Sequence, residues 1–145
     1  MTTNRLTIRA TPDRVWEVLA DGWLYPLWVV GAARMRRVDP EWPEVGSRIH
    51  HSVGLWPLLI DDNTEVLEMR PREHLRLKAR AWPVGAAEVA LTLEPNGEHT
   101  DVTIEETAVS GPGTLIPPPI EGLSLKWRNA EALQRLANLA ERRAA

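Results

Sequence analysis

The sequence predicts an α+β fold, a curved antiparallel sheet of about seven strands wrapped around one long C-terminal helix, with two short helices after strand one. Three observations predict it. The middle of the chain is a series of short segments with apolar residues at every second position, joined by turn residues, and this marks consecutive antiparallel strands. The end of the chain carries apolar residues three and four apart in one stripe, which marks a long amphipathic helix. Between the first strand and the strand series lie two stretches with helix-start and helix-stop signals. A sheet with one dry face and a helix with one apolar stripe cover each other most simply when the sheet curves around the helix.

The elements follow in order. Leu6, Ile8 and Ala10 alternate with Arg5, Thr7 and Arg9 as a half-buried strand. In TPDRVWEVLADG, Thr11 caps a helix, Pro12 suits its first position and Gly22 ends it, with Val15, Val18 and Leu19 as the apolar stripe. DGWLYPLW reads as a second short helix, with Pro26 placed to break it. Ala33–Val38 is a strand leading into the turn DPEWPEVG. GSRIHHSVG puts Ile49, His51 and Val53 on one face, and Arg48, His50 and Ser52 on the other. Leu58–Met69 has a mixed period, which predicts a bulge, and its Asp61–Asp62 pair reads as a solvated turn.

HLRLKARAW sets Leu75, Leu77, Ala79 and Ala81 against Arg76, Lys78 and Arg80. In AAEVALTLEPNGEHT, alternating Ala87, Val89, Leu91 and Leu93 run into the turn residues Pro95-Asn96-Gly97, and the strand returns over Thr100–Ser110 with Val102, Ile104, Glu106 and Ala108 on one face. Arg48, Arg76 and Arg80 fall on the outer face, where Glu65 and Glu88 are the expected cross-strand partners. The final helix runs from about Pro119 to Ala144, with Ile120, Leu123, Trp127, Ala130, Leu133, Leu136, Ala137 and Ala140 as its stripe.

Composition narrows the function classes. The 145 residues suit a single domain over 1–145. A net charge of −3 and scattered basic residues argue against a nucleic-acid surface, and RMRR at 34–37 reads as a solvated strand face. The absence of cysteine removes thiol chemistry and fits a reducing compartment. MTTNRLTIRA lacks the apolar core of a signal peptide and no run is long enough to span a bilayer, so the expectation is a cytoplasmic protein, monomer or homodimer. The four histidines, His50, His51, His74 and His99, have no metal-binding spacing, so no metal is expected.

The segments ATPDRVWEVLAD, YPLWVVGA and VGSRIHHSVGLWPLLIDD, followed by the long amphipathic helix, resemble the START-related superfamily (SRPBCC). Its members include polyketide cyclase/dehydrase and lipid-transport-like proteins, and its fold is the helix-grip fold. The resemblance covers essentially the whole chain. It implies a deep, mostly apolar cavity between the sheet and the C-terminal helix, with a small hydrophobic molecule as partner; no cofactor is expected. Members bind lipids, sterols, polyketides or plant hormones, and some are cyclases or aromatases.

In such a fold the two short helices lie at the cavity mouth. Trp23 and Tyr25 would be gate or wall, and Trp28 either wall or a core residue pinning the short helix to the long one. The remaining expected lining is Ile49, His51, Val53, Leu77, Ala79, Val89 and Leu91 from the strands, with Leu123 and Trp127 from the long helix. The small residues Ala79, Ala81 and Ala87 leave room. His51 would donate to a ligand carbonyl or act as acid or base, unless a buried partner simply satisfies it. Glu106 would form an acid–base couple with it, or else reach water at the strand end. Two functions follow: binding or carriage of a lipid or polyketide-like molecule, or a cyclase, aromatase or dehydratase using His51 and Glu106.

Overall fold

The computed structural model describes residues 1–29, 32–53, 60–81, 85–110 and 118–144. Strand β1 (Thr2–Ile8) is followed by helix α1 (Pro12–Ala20), a 3₁₀ turn (Gly22–Leu24) and helix α2 (Tyr25–Trp28). Six strands come next: β2 (Ala32–Val38), β3 (Arg48–Val53), β4 (Ile60–Arg70), β5 (His74–Ala81), β6 (Gly85–Asn96) and β7 (His99–Ser110). Helix α3 (Pro118–Ala144) closes the chain. The seven strands form one curved antiparallel sheet in the order β1-β7-β6-β5-β4-β3-β2, so β2 to β7 are a meander and β1 returns to pair with β7. This is the α+β helix-grip arrangement.

Local chemistry places each end. Thr11 caps α1 by accepting from the Arg14 amide, and Pro12 opens the helix where no amide partner is lost. The β6–β7 hairpin turns at Gly97, whose φ of 63° suits a residue without a side chain. The mixed period of β4 corresponds to a register shift between Val66 and Glu68 in its pairing with β5. Asp61 and Asp62 are strand residues and not a turn: they pair with Ser52 and His51 in β3, and the Asp61 carboxylate accepts from the Ser52 hydroxyl at 2.7 Å. On the outer face Arg48 and Arg80 reach Glu65, at 3.1 and 3.5 Å, and Arg76 reaches Glu88 at 2.8 Å.

The core runs along the inner face of the sheet, from β1 and β7 to Val66 and Ile49. Ile8, Val15, Val18, Leu19, Leu75, Leu91, Val102 and Leu136 are fully or almost fully buried, and they knit α1 and the C-terminal half of α3 onto β1, β5, β6 and β7. Trp42, in the β2–β3 connection, donates its indole N–H to the Leu19 carbonyl at 3.2 Å and so ties that connection to α1. Gly22 lies beneath it. A Cβ built there would stand 2.6 Å from Val38 Cγ1 and 3.2 Å from the Trp42 ring. Gly22→Ala is therefore expected to lower stability by about 1–3 kcal/mol, the usual cost of forcing a packed site apart. Chemical denaturation checks it, and an unchanged midpoint would mean that β2 yields freely.

The long helix departs from its expected stripe. Asn129, Ala132, Leu133, Leu136, Ala137 and Ala140 form its buried face, whereas Trp127 is 72% exposed and Ala130 is exposed too. At 3.6 residues per turn Trp127 lies roughly 160° round the helix from Asn129. Its neighbours one and two turns on, Glu131 and Gln134, are both polar. Trp127 therefore does not face the sheet or line its inner side, and the expectation placed on it is corrected. The apolar stripe read from the sequence joined two separate faces.

Candidate functional site

Strand pairing sets the inner face of the sheet in rows. One row is Leu75, Leu91 and Ile104, all buried. The next is Val66, Leu77, Val89 and Glu106, where Val89 is only half-buried. A third is Ile49, Thr64, Ala79, Ala87 and Ala108. Ile49 and Thr64 are fully buried in it, but the three alanines in succession are only partly covered. Side chains that end at Cβ leave space beside them that larger residues would fill. Helix α3 packs on β1, β7, α1 and α2. The inner face thus changes from dense packing at Leu91 to accessible small residues at Ala87.

A buried polar group borders those alanines. Oγ1 of Thr64 lies 2.9 Å from Tyr25 Oη and 2.8 Å from His51 Nε2. The Tyr25 ring is 5.9 Å from the His51 ring and meets Trp28 edge-on at 5.4 Å. Tyr25, Trp28, Thr64 and His51 are all buried, and His51 Nδ1 has no hydrogen-bond partner. Register decides which histidine faces inward: His51 does, while His50 turns outward to Asp39 at 3.1 Å. Burial lowers the His51 pKa below the usual histidine range, Asp62 pulling the other way, so the ring is neutral at neutral pH.

Tyr25 is the only tyrosine. Burial raises its phenol to about 12, the Thr64 hydrogen bond opposing the rise, Glu106 adding to it and Arg128 opposing it. Unfolded tyrosine titrates near 10. The folded state therefore holds this proton more tightly, and the stability it contributes is complete below about pH 10 and is lost as pH rises towards 12. A base titration followed by phenolate absorbance is expected to show no tyrosinate in the folded protein near pH 10, and a normal titration in urea. Tyrosinate at pH 10 without unfolding would mean that the phenol is open to water.

Glu106 does not pair with His51. Its carboxylate is held by the guanidinium of Arg128, which reaches in from α3. The expected His51–Glu106 couple is thus replaced by two pairings, His51 with Thr64 and Glu106 with Arg128. Of the other expected residues, Ile49, Leu77 and Leu91 are buried on the inner face, and Ala79 and Val89 are partly covered. Trp23 is apart from this group: it is 58% exposed and lines an open surface groove of about 540 Å³ with Glu17, Asp21, Val38, Asp39 and Trp42. The side chains of Val53, Ala81 and Leu123 lie outside the described residues.

The sequence reading does not single out Thr64, Arg128 or Asn129. Thr64 had a signal, since it stands two residues before buried Val66 on the same strand. Asn129 had one too, standing four before Leu133, seven before Leu136 and eleven before Ala140, on the buried face. Arg128 had none, because its partner is distant in sequence.

A profile described as polyketide cyclase/dehydrase and lipid transport matches residues 2–142. The chain belongs to that family. No curated protein matches it by sequence. Among solved structures, this family member is similar to protein NE0264 from Nitrosomonas europaea, with 16% identity and a TM-score of 0.70 over 99% of this chain and 96% of that one. It is similar to Ara h 8.0201, with 9% identity and a TM-score of 0.72 over 95% of each chain. It is also similar to the di-domain ARO/CYC StfQ from the steffimycin biosynthetic pathway, with 14% identity and a TM-score of 0.72, covering 98% of this chain and 51% of that one. At such identities the likeness is one of fold. Among the described residues of the family member no helix is long and apolar enough to cross a membrane, and no group of three or more His, Asp or Glu is placed to hold a metal ion.

Proposed function

We propose that this chain binds one small, mainly apolar molecule between the inner face of β4–β7 and α3, with the Tyr25–Thr64–His51 group at the polar end of the site. The partly covered row Ala79, Ala87 and Ala108 carries the proposal. Inner-face residues of a fully packed domain would be closed, as Leu75 and Leu91 are. Membership of a polyketide cyclase/dehydrase and lipid transport family supports the same reading. Uptake of the neutral dye Nile red tests it. One dye per chain is expected, and Ala87→Phe, which grows into the open space, is expected to weaken uptake about ten-fold, or about 1.4 kcal/mol. No uptake, or uptake indifferent to Ala87→Phe, would sink the proposal.

A second reading, a cyclase, aromatase or dehydratase, has one observation in its favour. His51 is a buried imidazole, neutral at neutral pH, and can accept or deliver a proton inside an apolar site. Glu106, held by Arg128, is not its partner in that chemistry. Turnover of a poly-β-ketone analogue is then expected to fall by about 10²–10⁴-fold in His51→Gln with Nile red uptake retained. Full activity in that variant would remove the enzymatic role of His51.

A further inference from the structure

The hydrogens of the Tyr25–Thr64–His51 group can be placed by counting. Thr64 has one hydroxyl hydrogen and stands between the other two groups. Thr64 is the only hydrogen-bond partner of the Tyr25 hydroxyl among the described residues. Three arrangements exist. If His51 donates from Nε2 to Thr64 and Thr64 donates to Tyr25, the phenol hydrogen has no acceptor and His51 Nδ1 is left as a bare lone pair. If His51 and Tyr25 both donate to Thr64, the Thr64 hydrogen is stranded and Nδ1 is again bare. If Tyr25 donates to Thr64 and Thr64 donates to His51 Nε2, both hydroxyl hydrogens are used, and a single group is left over: an N–H on His51 Nδ1.

A buried polar group without a partner costs about 1–3 kcal/mol, so the arrangement with one such group prevails over those with two. The neutral state of His51 agrees with it. The leftover donor is 97% buried by its 3% exposure, on the inner face of β3 beside the Tyr25 ring. Two further unpartnered buried atoms, Asn129 Nδ2 and Asn4 Oδ1, differ in kind. They belong to side-chain amides on α3 and β1, two elements that pack together, and not to the Tyr25–Thr64–His51 group.

We infer that the molecule bound by this chain presents a neutral hydrogen-bond acceptor, the carbonyl oxygen of a ketone, ester or lactone, to the Nδ1–H of His51. This rests on the cavity-binding reading above and specifies the polarity of that same site. An alcohol offers the same lone pairs but brings a hydrogen of its own that must also find an acceptor. A carboxylic acid is also disfavoured, because Arg128 is already paired with Glu106 and the Asp62 carboxylate stands in register with His51 across β3 and β4.

Two measurements test the inference. Ring nitrogen NMR shifts report which nitrogen carries the hydrogen. The His51 signal is assigned by elimination with His50→Gln, His74→Gln and His99→Gln, and the Nδ1–H tautomer is expected. The Nε2–H tautomer would overturn the inference. In the second, α-tetralone, α-tetralol and tetralin, which share one bicyclic hydrocarbon, compete with bound Nile red. The ketone is expected to bind about ten-fold tighter than the alcohol, the scale of one hydrogen bond. Equal binding of all three, or preference for the alcohol, would overturn the polarity while leaving the binding reading intact. Failure of all three, together with Nile red, would remove the binding reading and the polarity with it.

Discussion

Trp28→Ala is expected to destabilise the fold by about 3–5 kcal/mol, the range for deleting a large aromatic side chain from a closed site. Trp28 is 4% exposed, meets Tyr25 edge-on, and sits on the short helix α2, which packs on α3 and β2. Four residues have little backbone bonding of their own, so α2 stays in place chiefly through Tyr25 and Trp28. Losing the indole removes that anchor and leaves a void beside the Tyr25 ring. Trp127→Ala is the matched control, expected to change stability by less than about 0.5 kcal/mol because most of that side chain is already in water. Urea denaturation of the two variants decides the matter. Equal losses would mean that the two tryptophans share one environment, and the placement of both on α2 and α3 would have to be abandoned.

The second large effect belongs to Thr64. Thr64→Val keeps the branched shape but removes the hydroxyl on which Tyr25 and His51 converge. Both partners would then be buried without a hydrogen bond, and the expected loss is about 2–4 kcal/mol. Thr64→Ser keeps the oxygen and gives up one methyl, so about 1 kcal/mol is expected there. The contrast between the two variants isolates the hydroxyl. If valine were tolerated as well as serine, the polar group would not exist as a unit, and both the site and its donor would lose their basis. The valine variant should also weaken any preference for a ketone, because Thr64 no longer orders the His51 ring.

The outer face of β3, β5 and β6 was legible in the sequence, while that of β4 was not, since Asp61 read as part of a turn. Alternation in β3, β5, β6 and β7 announced the strands, and the Arg48, Arg76 and Arg80 pairings followed from parity and charge alone. Helix α1 was legible from Thr11, Pro12 and three apolar positions. These are local properties, set by neighbours along the chain or directly across a hairpin. The site was legible only in part. Parity in β3 selected His51 together with Ile49, and parity in β7 selected Glu106, yet nothing local could say that each would find a different partner.

The sequence alone therefore determined the order of elements, the two faces of β1, β3, β5, β6 and β7, and the mainly apolar character of the inner one. The tertiary structure decided what meets inside. It decided that Thr64 and not Glu106 holds His51, that Arg128 crosses from α3 to neutralise Glu106, and that Trp127 turns to solvent while Asn129 turns inward. The physical reason is the range over which each signal acts. Backbone pairing and side-chain alternation repeat every two residues and are written locally. The rotation of a long helix about its axis is not. In α3 it depends on which of several apolar positions pack best against a distant sheet, and with Trp127 and Leu133 both apolar the spacing supported two faces until packing chose one.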